Sequence, residues 1–176
     1  MRRKCNRIKR GSDEMKERVS HLFKASESQT YFGSICAGED LMDKIIELCE
    51  QHGIRSGMVT CIGSLKQAGF TVFKMKNGRT DGYAPPTVIA EPVELIQATG
   101  FICEDEHGKL DLHLHGIIEK QDETVSAGHF LRGYNKVCIT AEYCVISAGH
   151  VTGKRHYDPS LGYKVINFHH SGIGGD

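Results

Sequence analysis

The segment Leu110-Asp111-Leu112-His113-Leu114-His115-Gly116 alternates apolar and polar residues without a break. Successive side chains of a strand point to opposite faces, so this period belongs to a strand and not to a helix. Leu110, Leu112 and Leu114 then share one face and demand a core to cover it. Asp111, His113 and His115 share the other. Two imidazoles two residues apart on a strand have Cα atoms roughly 6.6 Å apart. Their rings can therefore converge on one ion at about 2.0–2.1 Å per Zn–N bond. A third histidine would complete a three-ligand set with one open vertex.

Gly128-His129 follows at a distance that makes His129 a candidate third ligand. A hairpin whose turn is centred on Asp122 places His129 directly opposite His115. Gln121-Asp122-Glu123 is polar, flanked by apolar runs, and long enough for a three-residue turn. A two-residue turn at Asp122-Glu123 would pair His129 with Gly116 and send its ring to the other face. A metal site thus requires one register. The competing reading is that Asp111, His113 and His115 form the wet face of an amphipathic strand.

A chain of 176 residues can bury one core of ordinary size without covalent staples. Its hydrophobic content of 39 % and charged content of 25 % fit a globular domain. Formal charge is zero but uneven: residues 1–24 hold nine Lys/Arg against three Asp/Glu, and the remainder thirteen against nineteen. Arg2, Arg3, Lys4, Arg7, Lys9 and Arg10 make a basic head that could touch phosphate. The acidic body argues against broad nucleic-acid binding by the folded part. Seven dispersed cysteines without a C-x-x-C pair read as reduced thiols, hence a reducing, cytoplasmic setting. Gly11-Ser12-Asp13-Glu14 after the basic start argues against a secretory signal, and no run approaches a membrane span.

Along the chain, residues 1–28 read as a basic flexible head. Asp40–His52 carries Leu41, Ile45, Leu48, Cys49 and His52 at helical spacing, with Gly53 after its end. A strand pattern precedes it at Thr30–Ile35, and others follow at Gly57–Ile62, Gly69–Met75, Val93–Cys103, Leu110–Glu119, Val125–Phe130 and Val137–Ser147. Asn77-Gly78 and His107-Gly108 punctuate them as turns. Many strands and one helix predict an α+β domain with a largely antiparallel sheet. Residues 169–176 read as a glycine-rich flexible tail.

Several segments together resemble the plants-and-prokaryotes-conserved (PPC) domain in its free-standing prokaryotic form. They are Gly38-Glu39-Asp40-Leu41, Gln51-His52-Gly53-Ile54, Cys61-Ile62-Gly63-Ser64-Leu65, Thr99-Gly100-Phe101-Ile102, His113-Leu114-His115-Gly116, Gly128-His129 and Thr140-Ala141-Glu142-Tyr143. The resemblance places such a domain at residues 29–168 and implies a compact α+β fold that assembles as a homotrimer. It also implies a glycine–serine turn at Gly63-Ser64 and a divalent metal, zinc, on His113, His115 and His129. Asp111 and Glu142, the latter at the family's Thr-x-Glu position, are the candidates for orienting a ligand ring or acting as a base. A small-molecule ligand at the open vertex is the first functional expectation. DNA binding is the second; plant relatives use an Arg-Gly-Arg-Pro hook that this chain lacks, leaving only the basic head to carry it. A cupin-like metalloprotein is a third, since His113-x-His115-x-x-x-Glu119 fits the first cupin motif while Ser126-Ala127-Gly128-His129 lacks the proline of the second.

Other residues carry less. His169-His170 are adjacent and close to the tail. Gly63-Ser64 lacks a Gly-x-Ser-x-Gly context. Cys61, Cys138 and Cys144 fall in apolar strands and read as packing residues.

Overall fold

The computed structural model describes residues 20–171. The alternating segments become strands: β1 (Thr30–Cys36), β2 (Gly57–Thr71), β3 (Phe73–Lys76), β4 (Arg79–Tyr83), β5 (Thr87–Ile89), β6 (Val93–Glu104), β7 (Leu110–Glu119), β8 (Val125–Phe130), β9 (Lys136–Ser147), β10 (Val151–Asp158) and β11 (Tyr163–His170). One helix, α1 (Leu41–Gln51), lies between β1 and β2. The main sheet runs β1-β9-β2-β8-β7-β6-β10-β11, with β5 on β2 and a further β2–β6 pairing. All of its pairings are antiparallel except β10 with β6. β3 and β4 form a separate two-stranded arm turned by Asn77-Gly78.

The β2–β6, β6–β7, β7–β8 and β8–β2 pairings close a ring. One row of directly opposed residues shows it: Thr60 faces Thr99, Thr99 faces His115, His115 faces His129, and His129 faces Thr71. The row leaves β2 at Thr60 and returns to the same strand further along, the stagger a closed sheet requires. Closure gives the sheet an inside and an outside. Leu110, Leu112 and Leu114 point inward and are buried, with Val59, Leu65, Leu95, Ile102 and Ile118.

Helix α1 covers this core with Leu41, Met42, Ile45, Ile46 and Cys49. Asp40 caps it, its carboxylate accepting from the amides of Met42 and Asp43 at 3.1 Å each. The other carboxylate oxygen accepts from the amide of Asn135 at 2.9 Å, so the same residue ties the helix to the start of β9. Asn135 is fully buried, and its side chain accepts from Gly69 N and donates to the Leu131 carbonyl. The helix is one residue shorter at each end than the apolar spacing predicts. His52 is the exposed C-cap and not part of the buried stripe, and Gly53 follows at φ +67°.

The expected turn at Gly63-Ser64 and the separate strand Gly69–Met75 are corrected. β2 runs unbroken from Gly57 to Thr71, and the irregularity is a bulge between Cys61 and Gly63. Gly63 sits at φ +145°, where a Cβ would stand 2.4 Å from the Thr140 carbonyl oxygen. Ser64 Oγ accepts from Ile139 N across the bulge. The punctuation is real, but it bends a strand instead of ending it. β4, β5, β10 and most of β11 are strands that the sequence pattern does not predict, since they carry no clear alternation. β11 continues through His169 and His170, which pair with Thr152 and Val151, so these two residues of the expected tail are strand. Within the expected head, Ser26 N donates to Gly149 O and the Phe23 ring meets that of His170.

Candidate metal centre

His113 and His115 project from the outer face of β7, and His129 projects beside them from β8. The register is the one a metal site needs: His115 pairs with His129, Gly116 with Gly128 and Glu119 with Val125. Its cause is the three-residue turn. Glu123 adopts φ +65°, Glu123 N donates to Lys120 O, and Asp122 accepts from Thr124 N and Thr124 Oγ1. Gly116 follows for a steric reason, since a Cβ there would lie 2.3 Å from the Phe130 ring that seals the core beneath the histidines.

His113 Nε2 stands 3.0 Å from His115 Nε2, and His115 Nε2 stands 3.4 Å from His129 Nδ1. All three donor atoms fall within 4.8 Å of one another. Ligands on a tetrahedral zinc at about 2.05 Å lie about 3.3 Å apart, so the measured separations straddle that value. Glu119, the residue that suggested a cupin motif, is not among the converging donors.

The three rings are held neutral. Burial pushes His129 down to about 3, helped by the repulsion that a protonated His113, Arg155 and a protonated His115 would each exert. Burial is also the main cause at His113, which falls to about 4, and at His115, which is lowered; Arg155 adds to both. Neutral imidazole is the form that ligates a metal. The arrangement therefore brings three imidazole nitrogens into one hemisphere, each able to ligate when its ring proton sits on the other nitrogen, with His129 9 % exposed and His115 open to solvent.

Around the cluster, Asp111 reaches Arg155 Nη1 at 3.0 Å and accepts from Leu112 N. Arg155 Nη2 faces His129 Nε2 at 3.3 Å. The ring of Tyr83 lies 5.7 Å from that of His129 and in turn meets Tyr163 edge-on. Arg155 and Tyr83 were missed in the sequence. Arg155 shares the buried side of β10 with Val151 and Gly153, a placement that the sequence of β10 does not signal. A shallow hollow of about 380 Å³ adjoins His115, lined by Gln97, Thr99, Ile117, Ala127 and Gly128.

Glu142 is exposed on β9, opposite Ser34 and Ile62, and accepts from Thr140 Oγ1. Strands β2 and β6 separate it from β7, roughly 14 Å along the sheet at the usual spacing. The structure does not bring it to the histidines of its own chain. Arg2, Arg3, Lys4, Arg7, Lys9 and Arg10 lie outside the described residues. Cys36, Cys49, Cys61, Cys103, Cys138 and Cys144 are free thiols. Among the described residues no helix is long and apolar enough to cross a membrane.

A closed antiparallel sheet over one helix, with three imidazoles converging on its outer face, defines an α+β domain carrying a metal-type ligand cluster. The sequence profile of the Plants and Prokaryotes Conserved (PCC) domain matches residues 23–149, and the chain belongs to that family, the one its motifs resemble. The cupin reading is thereby overturned. A metal-containing protein from Archaeoglobus fulgidus shares the fold with a TM-score of 0.72 at 20 % identity, over 83 % of this chain and 98 % of that one. A plant- and prokaryote-conserved protein from Pyrococcus horikoshii gives 0.69 at 21 %, over 84 % and 97 %. A protein from Bacteroides thetaiotaomicron, described as a candidate DNA-binding protein, gives 0.67 at 25 %, over 79 % and 92 %. Comparison with curated proteins gives no significant match.

Proposed function

We propose that this protein is a homotrimeric metal-binding protein in which His113, His115 and His129 hold a divalent ion, zinc, and a small molecule occupies the hollow beside it. The observation that carries this reading is the convergence of three neutral imidazole nitrogens at ligand spacing. Imidazole suits zinc, copper, nickel and iron, and zinc is favoured by availability and by the family resemblance. A bound divalent ion would supply Lewis acidity at the fourth position. Gln97 and Thr99 line the hollow beside His115, where an amide and a hydroxyl would hydrogen-bond a ligand. Asp111 is the carboxylate assigned to the surroundings of the cluster, acting through Arg155.

Trimer formation is supported by apolar residues on the same outer sheet face. Phe32 is 84 % exposed and shares a row with Cys144, Thr60, Thr99 and His115; Ile62 and Ile146 flank that row. Such a face is costly to leave in water. A second copy covering it is also the route by which Glu142 would approach a histidine cluster. Spectroscopic titration with Co²⁺ tests the site: the proposal expects one equivalent per chain with visible absorption that His115→Ala abolishes. A His115→Ala spectrum equal to that of the unaltered protein would refute it.

The basic head and the description of the Bacteroides relative support a second reading, weak DNA binding. Contacts of this kind are electrostatic and would vanish with salt and with removal of residues 1–19.

A further inference from the structure

We infer that Arg155 is a positioning residue that holds the metal-free cluster in a form opposed to metal, so that uptake is weak and reversible. This rests on the three-histidine reading above. Residues 151–170 lie beyond the family match, which ends at 149, yet their hairpin folds onto the histidine face. It places Phe168 on Phe101, Tyr163 on Tyr83, and Arg155 on both Asp111 and His129.

The chemistry of the Arg155–His129 contact allows one arrangement. A guanidinium has donors only, so at 3.3 Å His129 Nε2 must be the acceptor. The ring proton is then on Nδ1, the atom that faces His115 Nε2 at 3.4 Å. A metal entering the cluster cannot use a protonated Nδ1. If the proton moves to Nε2, two donors face each other at the Arg155 contact. If the ring turns over and ligates through Nε2, the hydrogen bond to Arg155 is lost as well. Either way, loading breaks that bond.

Charge works in the same direction. Ligand histidines in metal sites ordinarily donate their second N–H to a carboxylate or carbonyl, which strengthens them as bases. Here the partner is a cation that is 9 % exposed, one imidazole ring from the ion's place. Asp111 compensates it only at Nη1, and Nε is buried without a partner. Removing the guanidinium would remove a repulsion and leave Asp111 free to act on the cluster.

The first test needs no substitution. Nitrogen-15 NMR of the imidazoles in metal-free protein should show His129 as the Nδ1–H tautomer; an Nε2–H tautomer would overturn the inference. The second is competition for Zn²⁺ against a chromogenic chelator. Arg155→Met should bind roughly tenfold tighter or more, while Arg155→Lys, which keeps the charge, should remain close to the unaltered protein. Unchanged or weaker binding by Arg155→Met, with metal still bound by the unaltered protein, would refute the role of Arg155 and leave the metal site standing. No zinc binding by any of the three proteins would instead refute the site itself.

Discussion

Acidification should unfold the metal-free protein through its histidines before its carboxylates matter. In the unfolded chain each imidazole takes up a proton near its ordinary value of 6.5. In the folded chain burial holds His129 at about 3 and His113 at about 4. The unfolded state therefore binds more protons throughout the interval between these values, and stability falls as pH falls across it. The contribution is fully present above pH 6.5 and fades towards pH 4 and below. Two such groups give a slope approaching about 2.7 kcal/mol per pH unit. Integrated from pH 7 to pH 5, His129 contributes about 2 kcal/mol, and His113 raises the loss to at most about 4, less solvent screening at its partly exposed ring. Glu39, Asp105, Glu106 and Asp122, which all titrate below their ordinary values, lie beneath this window. Urea unfolding with a chelator present, at fixed chain concentration and at pH 7 and pH 5, reads the difference directly. His129→Gln should lose roughly half of it. Equal stability at the two pH values, or an undiminished loss in His129→Gln, would refute the claim that these rings are held neutral by burial.

Other outcomes follow from packing and capping. Leu114→Ala, on the fully buried inner face of β7, should cost about 3–4 kcal/mol in urea unfolding, whereas Ile117→Ala on the outer face should cost under about 1. Asp40→Ala removes the helix cap together with the acceptor for Asn135 N, and should cost about 1–2 kcal/mol by the same assay. Gly116→Ala drives a methyl against the Phe130 ring; a loss of about 1–3 kcal/mol is expected, and a neutral result would mean the ring has room to yield. Ile62→Lys places a charge on the exposed apolar face, and sedimentation equilibrium should then show a lighter species than the unaltered protein.

The site was more legible in the sequence than the fold around it. The leucine–histidine alternation marks the two faces of β7, while turn length leaves two hairpin registers open, of which the protein adopts the Asp122-centred one that pairs His115 with His129. Closure of the sheet was not legible. It depends on β2 being one bent strand that pairs with β6 as far as Leu65, with β9 as far as Gln67 and with β8 only at Phe70 and Thr71, and Gly63-Ser64 looks locally like a terminus. Arg155 escaped for a similar reason. Its partners lie 26 and 44 residues away, and its strand is read as buried only once β6 is known to lie beside it. Glu142, prominent by resemblance, sits three strands from β7, a separation that only topology reveals.

Elemental analysis of untagged protein beside His129→Ala tests most directly whether the three histidines hold a metal ion. At equilibrium with added Zn²⁺, about one zinc per chain is expected in the former and a loss in the latter, since two imidazoles on one strand cannot complete the set. No metal in either protein after incubation with Zn²⁺, or equal metal in both, would contradict it.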